Sequence, residues 1–265
     1  MQKLWDKKAI LLYHVLDKRV RLVGGCVRDY LLQQPFADRD MATTLTPDEV
    51  VDRLQKHKIP FLEMGRPYGT ITANLGGTLF EITTLRKDVQ TDGRHAVVAF
   101  TKSWATDARR RDFTINALYA DVNGKIYDYV GGLEDLKTRR LRFVGCAKKR
   151  IQEDYLRLLR YFRFWAKMAD EQVDEQVVKA LPEIVPCLSS LSVDRRRSEM
   201  FKIVAGPRAE ETLKMMQQLN VLTPVLTDIA FSKKQRKVLK EKELEKMLAT
   251  FGFSEYKKEY ENKVC

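Results

Sequence analysis

The stretch "RLVGGCVRDYLLQQPFADRDMATTL", Arg21–Leu45, decides the fold reading. "RVRLVGG" has the short apolar run of a strand, stopped by the glycines Gly24 and Gly25. "CVRDYLLQQ" then reads as a helix and "RDMATTL" as a second strand. Two aspartates, Asp38 and Asp40, stand one residue apart where that second strand begins. On an extended chain, residues i and i+2 face the same way, so both carboxylates are expected on one face. Such a pair suits Mg²⁺, which prefers hard oxygen ligands and keeps water and phosphate oxygens as well. Glycine at 24 and 25 lets backbone approach a phosphate and opens a helix toward it, with Arg28 on the first turns. Each feature alone also fits an ordinary surface turn. The order strand, Gly-Gly, helix, strand, D-x-D is far more specific.

Working outward, "TPDEVVDRLQKHK" carries a capping box, with Thr46 as cap, Pro47 at the first helical position and Glu49 reaching back. "GTITANLGGTLFEITTL" reads as a hairpin turning at Gly76-Gly77. On its second strand Glu81 offers a third carboxylate or a plain surface acid, and Arg86 follows at the end. From Leu85 to Asp107 the periodicity weakens, and the segment reads as a long loop. "DFTINALYADV" reads as a helix. Strands mixed with helices indicate an α/β or α+β domain. After about residue 133 the strands fade. "KKRIQEDYLRLLRYFRFWAKM" has helical spacing at Ile151, Tyr155, Leu158, Leu159, Phe162 and Trp165. Further helices start at Ser192 and in "PRAEETLKMMQQLNVL", and the charge-dense end reads as an exposed helix with a frayed tail.

The chain has 265 residues, enough for one large or two smaller domains, and 48 Lys plus Arg against 36 acids. A net charge of +12 fits a polyanionic partner, or simply a solvated basic surface. Four scattered cysteines and three histidines give no zinc-ligand spacing, and free thiols suit a reducing cytoplasm. The start is an amphipathic helix without a signal-peptide core, and no apolar stretch is long enough for a bilayer. "LKTRRLRFVGCAKKR" has seven basic residues and no acid, and reads either as an RNA track or as a basic strand pair.

Two further groups carry chemistry. "DARRRDFTINAL" places Arg109, Arg110 and Arg111 before Asp112. The guanidiniums suit a triphosphate and Asp112 a ribose hydroxyl, while Asp112 also serves as an ordinary helix cap. In "EDYLRLLRYFRF", Asp154 and Arg157 are three apart, on one face if the helix is continuous. That is an intrahelical ion pair, or a base reader. Cytosine and adenine each offer an amino donor beside a ring acceptor, which a carboxylate plus a guanidinium complement. Uracil and guanine reverse the pattern.

Together, "LVGGCVRDYLL…DRDMATT", "FEITTLRKD", "DGRHAVVAFT", "RRRDFTINAL", "YDYVGGLEDL" and "RIQEDYLRLLRYFRF" resemble the class II tRNA nucleotidyltransferases, the CCA-adding enzymes of the poly(A) polymerase superfamily. The matches keep the family's order across about residues 20–165, with weaker likeness to about residue 225. The resemblance implies an α+β nucleotidyltransferase head with a mixed β-sheet over 1–133. An all-α neck that reads the base over 134–200 and a shortened helical body that contacts tRNA over 201–265 would follow. It implies Mg²⁺-dependent, template-independent addition of CCA to the tRNA 3′ end from CTP and ATP. Asp38 and Asp40 would be metal ligands with Glu81 as third carboxylate. Gly24, Gly25, Arg28, Arg111, Asp112, Asp154, Arg157 and Arg160 would bind nucleotide. The stretch from Arg86 to Thr106, with Asp92, Gly93 and Arg94, resembles the family's flexible loop for the switch from C to A. Members usually continue into a longer body than this chain, which stops at Cys265. A poly(A) polymerase, a partial CC- or A-adding enzyme and an inactive RNA-binding module are the alternatives. Oligomeric state is left open.

Overall fold

The computed structural model describes residues 3–91, 96–168 and 173–226. The chain divides into two compact units, Met1–Asp154 and Tyr155–Cys265.

The first unit begins with α1 (Lys7–Val15), capped by Asp6, whose side chain accepts the Ala9 N–H. Strand β1 (Val20–Val23), helix α2 (Gly25–Leu31) and strand β2 (Met41–Thr43) follow, as the opening stretch predicts. Helix α3 (Pro47–Lys56) carries the expected capping box, with Glu49 N–H donating to the Thr46 hydroxyl and Thr46 N–H to the Glu49 carboxylate at 2.7 Å. Such a cap contributes about 1 kcal/mol. Strands β3 (Phe61–Leu62), β4 (Thr70–Leu75) and β5 (Thr78–Thr84) complete one side of the sheet. Gly76 and Gly77 both have positive φ, +55° and +79°, as a two-residue hairpin turn that matches strand twist requires.

The segment expected to be a loop from Leu85 to Asp107 is instead a β-ribbon and a helix. β6 (Arg86–Thr91) pairs antiparallel with β7 (Ala96–Phe100), and α4 (Trp104–Arg110) follows with Ser103 as cap. Strand β6 is polar apart from Val89, and that polarity hides the signal, whereas the apolar run Ala96–Phe100 of β7 is one that a strand reading could have used. The expected helix in "DFTINALYADV" is also corrected. A single 3₁₀ turn, Thr114–Asn116, leads into β8 (Leu118–Ala120). The β-strand wins because Leu118, Tyr119 and Ala120 are all buried in the middle of the sheet beside β1.

β9 (Ile126–Asp128), α5 (Gly132–Lys137) and α6 (Ala147–Glu153) close the unit. Among the described residues the main sheet runs β3-β4-β5-β2-β1-β8-β9, with β2 parallel to β5 and the other neighbours antiparallel. The core holds Leu22, Met41, Ile71, Phe80 and Ile82, none of them exposed. The basic run after α5 forms no strand pair; its described pairing is one isolated bridge, Phe113 to Phe143.

α5 docks on the 3₁₀ turn through Gly132, where an added Cβ would come 2.8 Å from the Thr114 carbonyl carbon. Thr114 cannot retreat, because its hydroxyl donates to buried Asp135, which also accepts from Arg142 at 2.8 Å. Gly132→Ala is therefore expected to cost about 1–3 kcal/mol. The expected result is a lower urea midpoint with an unchanged slope.

The second unit is helical in its described residues: α7 (Leu156–Met168), α8 (Glu175–Ile184), a 3₁₀ turn at Val185–Ser190, α9 (Val193–Val204), α10 (Ala209–Gln218) and α11 (Leu222–Leu226). Leu158, Leu159, Phe162 and Trp165 of α7 are buried, as their spacing predicts. The charge-dense stretch after Leu226, read as exposed helix and tail, lies outside the described residues.

Candidate active site

The sheet topology gathers the acidic residues. β2 lies parallel to β5 with Met41 beside Ile82, so one step back along the ladder Asp40 stands beside Glu81. Met41 and Ile82 point into the core, and the alternation turns Asp40 and Glu81 the other way, where both are exposed. The expectation that Asp38 and Asp40 lie on a strand is corrected, because β2 begins only at Met41. They occupy the segment just before β2, and the Asp40 carbonyl accepts the Val23 N–H at 2.9 Å. Asp38 and Asp40 are exposed while Arg39 between them is buried, which keeps both carboxylates on the solvent side.

The electrostatics follow. Partial burial, then the charge of Glu81, push the Asp40 carboxyl up to about 6; Arg111 opposes the shift and Asp38 adds to it. Glu81 and Asp38 thus both act on Asp40, and Arg111 offsets them only in part. The thiol of buried Cys26, behind the turn, is pushed up to about 12 by burial and by Asp40.

The Gly-Gly turn stands beside this cluster. Gly24 has φ +78° and caps α2, a conformation that few other residues adopt. An added Cβ there would sit 3.8 Å from Nη1 of Arg111. Arg28, on α2, is buried and donates to both Asp29 oxygens at 2.8–2.9 Å and to Asn116 Oδ1 at 2.5 Å. Asn116 donates in turn to Asp112 at 3.3 Å. Asp112 also accepts the Phe113 N–H at 2.9 Å, but the residue that caps the 3₁₀ turn is Phe113, so the expected helix-cap role of Asp112 is not found.

Sequence reasoning missed the residue that holds the arginines. Asp107 is 1% exposed and accepts from Arg110 at 2.8 Å, Arg111 at 3.0 Å and the Tyr119 hydroxyl at 2.7 Å. It also takes the backbone N–H of Arg86 at 3.3 Å, which fixes the root of the β6–β7 ribbon. Burial alone would raise this carboxyl, but Arg111, Arg110 and Tyr119 outweigh it and hold it at about 2. The arginine run therefore does not depend on an external anion: two of its three members share Asp107. Arg86 adds a third guanidinium, held down at about 10 by burial and by Arg110. One buried carboxylate facing three guanidiniums leaves a positive surplus that suits a phosphate chain.

Residues 20–142 match the family described as the poly A polymerase head domain, and residues 172–232 the probable RNA and SrmB-binding site of polymerase A. The chain is 45% identical over 205 residues to the mitochondrial CCA tRNA nucleotidyltransferase 1 of Danio rerio, covering 76% of this chain and 48% of that protein. It is 38% identical over 204 residues to the CCA-adding enzyme of Geobacillus thermodenitrificans, covering 76% and 49%. Its fold superimposes on the Bacillus stearothermophilus CCA-adding enzyme in complex with CTP with a TM-score of 0.75 at 32% identity, over 90% of this chain and 58% of that one. The chain belongs to the tRNA nucleotidyltransferase (CCA-adding enzyme) family. It spans about half the length of the curated relatives it matches.

Within that family's expected nucleotide site, the base-reading pair needs a correction. α6 and α7 are separate helices, and Asp154 between them is extended, with φ −159° and ψ 106°. Asp154 and Arg157 therefore do not share one helical face. The apolar spacing runs through the break, which is why the sequence reads as continuous. Arg157 and Arg160 lie in the first turns of α7, where the Arg160 guanidinium stands 5.8 Å from the Phe164 ring centre. Of the residues expected in the tRNA nucleotidyltransferase loop, Arg86 opens β6, whereas Asp92, Gly93 and Arg94 lie outside the described residues.

The donor chemistry at Asp38, Asp40 and Glu81 fits Mg²⁺, because the raised Asp40 carboxyl marks hard oxygens short of a cation. Among the described residues no group of three or more His, Cys, Asp or Glu closes around a metal position. Among the described residues, no helix is long and apolar enough to cross a membrane.

Proposed function

We propose that this chain adds nucleotides to the 3′ end of tRNA without a template, building CCA from CTP and ATP and releasing pyrophosphate. The observation that carries the reading is the convergence of Asp38, Asp40 and Glu81 beside the Gly24 turn and Arg111. Within it, residues 1–133 act as the catalytic head, 134–200 as the base-reading neck and 201–265 as the part of the body that meets tRNA. A reducing compartment such as the cytoplasm suits the free thiols of Cys26, Cys146 and Cys187.

The chemistry is an in-line displacement. The terminal 3′-hydroxyl of the RNA attacks the α-phosphate, a P–O bond forms, and the bond to pyrophosphate breaks. Asp38 and Asp40, with Glu81 as the third carboxylate, would hold Mg²⁺, which would supply charge neutralisation for the triphosphate and a lowered pKa for the attacking hydroxyl. The open backbone at Gly24 admits the phosphates, and Arg111, fixed from behind by Asp107, presents Nη1 to them. Arg28 supports Asp112 through Asn116, which leaves Asp112 placed to accept from a ribose hydroxyl. Asp154 accepts from the amino group of cytosine or adenine, while Arg157, with Arg160 nearby, donates to the ring nitrogen. Positioning and charge stabilisation lower the barrier.

The test uses a tRNA ending at its discriminator base, Mg²⁺, and CTP alone, ATP alone, both, or UTP with GTP, with the 3′ ends sequenced. C-C from CTP and a single further A with both nucleotides is the expected product. Long A tracts would instead assign a poly(A) polymerase, and C-C without A a partial enzyme. No incorporation with tRNA still bound would leave an RNA-binding module. Asp154→Ala and Arg157→Ala are each expected to narrow the preference for CTP over UTP by about 10-fold or more, the worth of one lost hydrogen-bonding partner to a base edge. Unaltered preference in both variants would remove the base-reading role.

A further inference from the structure

The D-x-D pair has a middle residue, and it is not a neutral spacer. Asp38 and Asp40 are exposed, yet Arg39 between them is 8% exposed. Residues 34–40 form no regular secondary structure before β2 begins. Only its last residue is pinned to the sheet, where the Asp40 carbonyl accepts the Val23 N–H; no strand pairing is assigned to residues 34–39. Arg39 supplies the constraint. Its Nε donates to the Leu4 carbonyl at 3.0 Å and its Nη2 to the Lys3 carbonyl at 3.1 Å. Its Nη1 pairs with Asp6 Oδ2 at 3.2 Å, and the guanidinium carbon stands 5.0 Å from the Phe36 ring centre. The other Asp6 oxygen accepts the Ala9 N–H and caps α1. One carboxylate thus joins a helix start to the centre of the D-x-D.

We propose that Arg39, held by Lys3, Leu4 and Asp6, is the positioning residue that aims Asp38 and Asp40 at the metal, so that the segment Lys3–Asp6 is a working part of the active site. The proposal rests on the reading of Asp38 and Asp40 as metal ligands. The physical argument is alternation. Arg39 is buried while Asp38 and Asp40 on either side of it are exposed, so a guanidinium locked on one side turns both aspartates to the other. It also opposes their tendency to separate. Asp38 and Asp40 are like charges one residue apart, and a segment outside the strands would relieve their repulsion by rotating the side chains apart. A planar fork bound at three of its nitrogens resists rotation, which a single ammonium or an apolar side chain does not. Partners behind metal ligands commonly change metal affinity about 10–100-fold when removed.

The experiment titrates Mn²⁺ into the protein and follows free Mn²⁺ by electron paramagnetic resonance, with no nucleotide or RNA present. Wild type, Asp6→Asn and Arg39→Met are compared, each with a thermal melt by circular dichroism. Asn caps a helix as well as Asp does, so Asp6→Asn removes the ion pair and keeps α1. The expected result is Mn²⁺ binding weaker by about 10-fold in Asp6→Asn and about 100-fold in Arg39→Met. In CTP incorporation, kcat at limiting Mg²⁺ should fall in parallel and recover partly with excess metal, while KM for CTP at saturating metal stays unchanged. Wild-type Mn²⁺ affinity in a folded Asp6→Asn or Arg39→Met would overturn the positioning role, with the metal site left intact. If Arg39→Met does not fold, Asp6→Asn decides. Absence of Mn²⁺ binding in the wild type would bring down the metal assignment of Asp38 and Asp40, and this proposal with it.

Discussion

Asp40→Asn is expected to lower nucleotide incorporation by about 10²–10³-fold or more and, in the same protein, to raise the melting temperature without metal. The two effects have one cause. Partial burial, Glu81 and Asp38 hold the Asp40 carboxyl up at about 6 against an ordinary 3.8. The folded chain therefore binds that proton more tightly than the unfolded chain does. Sign follows directly: this carboxylate costs the fold nothing below about pH 4, and its cost builds as pH rises through about 6. Asparagine is nearly isosteric and carries no charge, so it removes the cost. Because the side chain is exposed, solvent screening keeps the gain small, on the order of 1–3 °C at pH 8. At pH 4 the gain should vanish. Adding Mg²⁺ should stabilise the wild type and leave the variant unchanged, because a ligand stabilises only the state that binds it. Thermal melts at pH 4 and pH 8, with and without Mg²⁺, make the check beside a CTP incorporation assay. Undiminished incorporation by Asp40→Asn would remove Asp40 from the metal site.

A residue that weakens the fold while serving the chemistry also explains which parts of the molecule were legible in sequence. The stretch Arg21–Leu45 declares itself, because each local signal agrees with the fold: a short apolar run, a glycine at positive φ, a helix start and a second apolar run. The capping box at Thr46 and the Gly76-Gly77 turn are equally local, and the structure contains both. What failed were elements specified from a distance. Leu118–Ala120 is a strand because β1 offers it a place beside its own edge, and nothing within "DFTINALYADV" says so. Strand β6 reads "RKDVQT", too polar for a hydrophobic period to stand out. The break at Asp154 is invisible because the apolar positions on both sides stay in phase.

The same division holds within the site. Asp38, Asp40, Glu81 and Arg111 could be named because motif order places them, and the sheet then brings Asp40 beside Glu81. Asp107 and Arg39 could not. Their importance lies in partners 12 and 33 or more residues away, Tyr119 in one case and Lys3, Leu4 and Asp6 in the other. For Asp107 the available signal was its spacing of three and four residues from Arg110 and Arg111; Arg39, flanked by Asp38 and Asp40, offered none.

Replacing Asp107 should therefore produce the largest loss of stability among the residues around the site. Asp107→Asn leaves Arg110 and Arg111 facing each other across a buried position without their shared anion, and such an unbalanced charge costs about 3–5 kcal/mol. For a chain of this size that corresponds to a melting temperature lower by about 6–20 °C. Acid provides an independent check. With its carboxyl held at about 2, Asp107 contributes stability that is present above about pH 4 and lost as pH falls through 2. The shift from 3.8 is worth about 2 kcal/mol, so the gap between wild type and Asp107→Asn in urea titrations should narrow by about that amount between pH 7 and pH 2. A gap that stays constant over that window would mean that the ion pairs are not its source. Tyr119→Phe removes one hydrogen bond from the same carboxylate and should cost only about 1–2 kcal/mol. Function should follow geometry in both variants. Arg111 loses the partners that aim it toward the Gly24 turn, so KM for CTP should rise in Asp107→Asn more than in Tyr119→Phe, in the same order as the losses in stability.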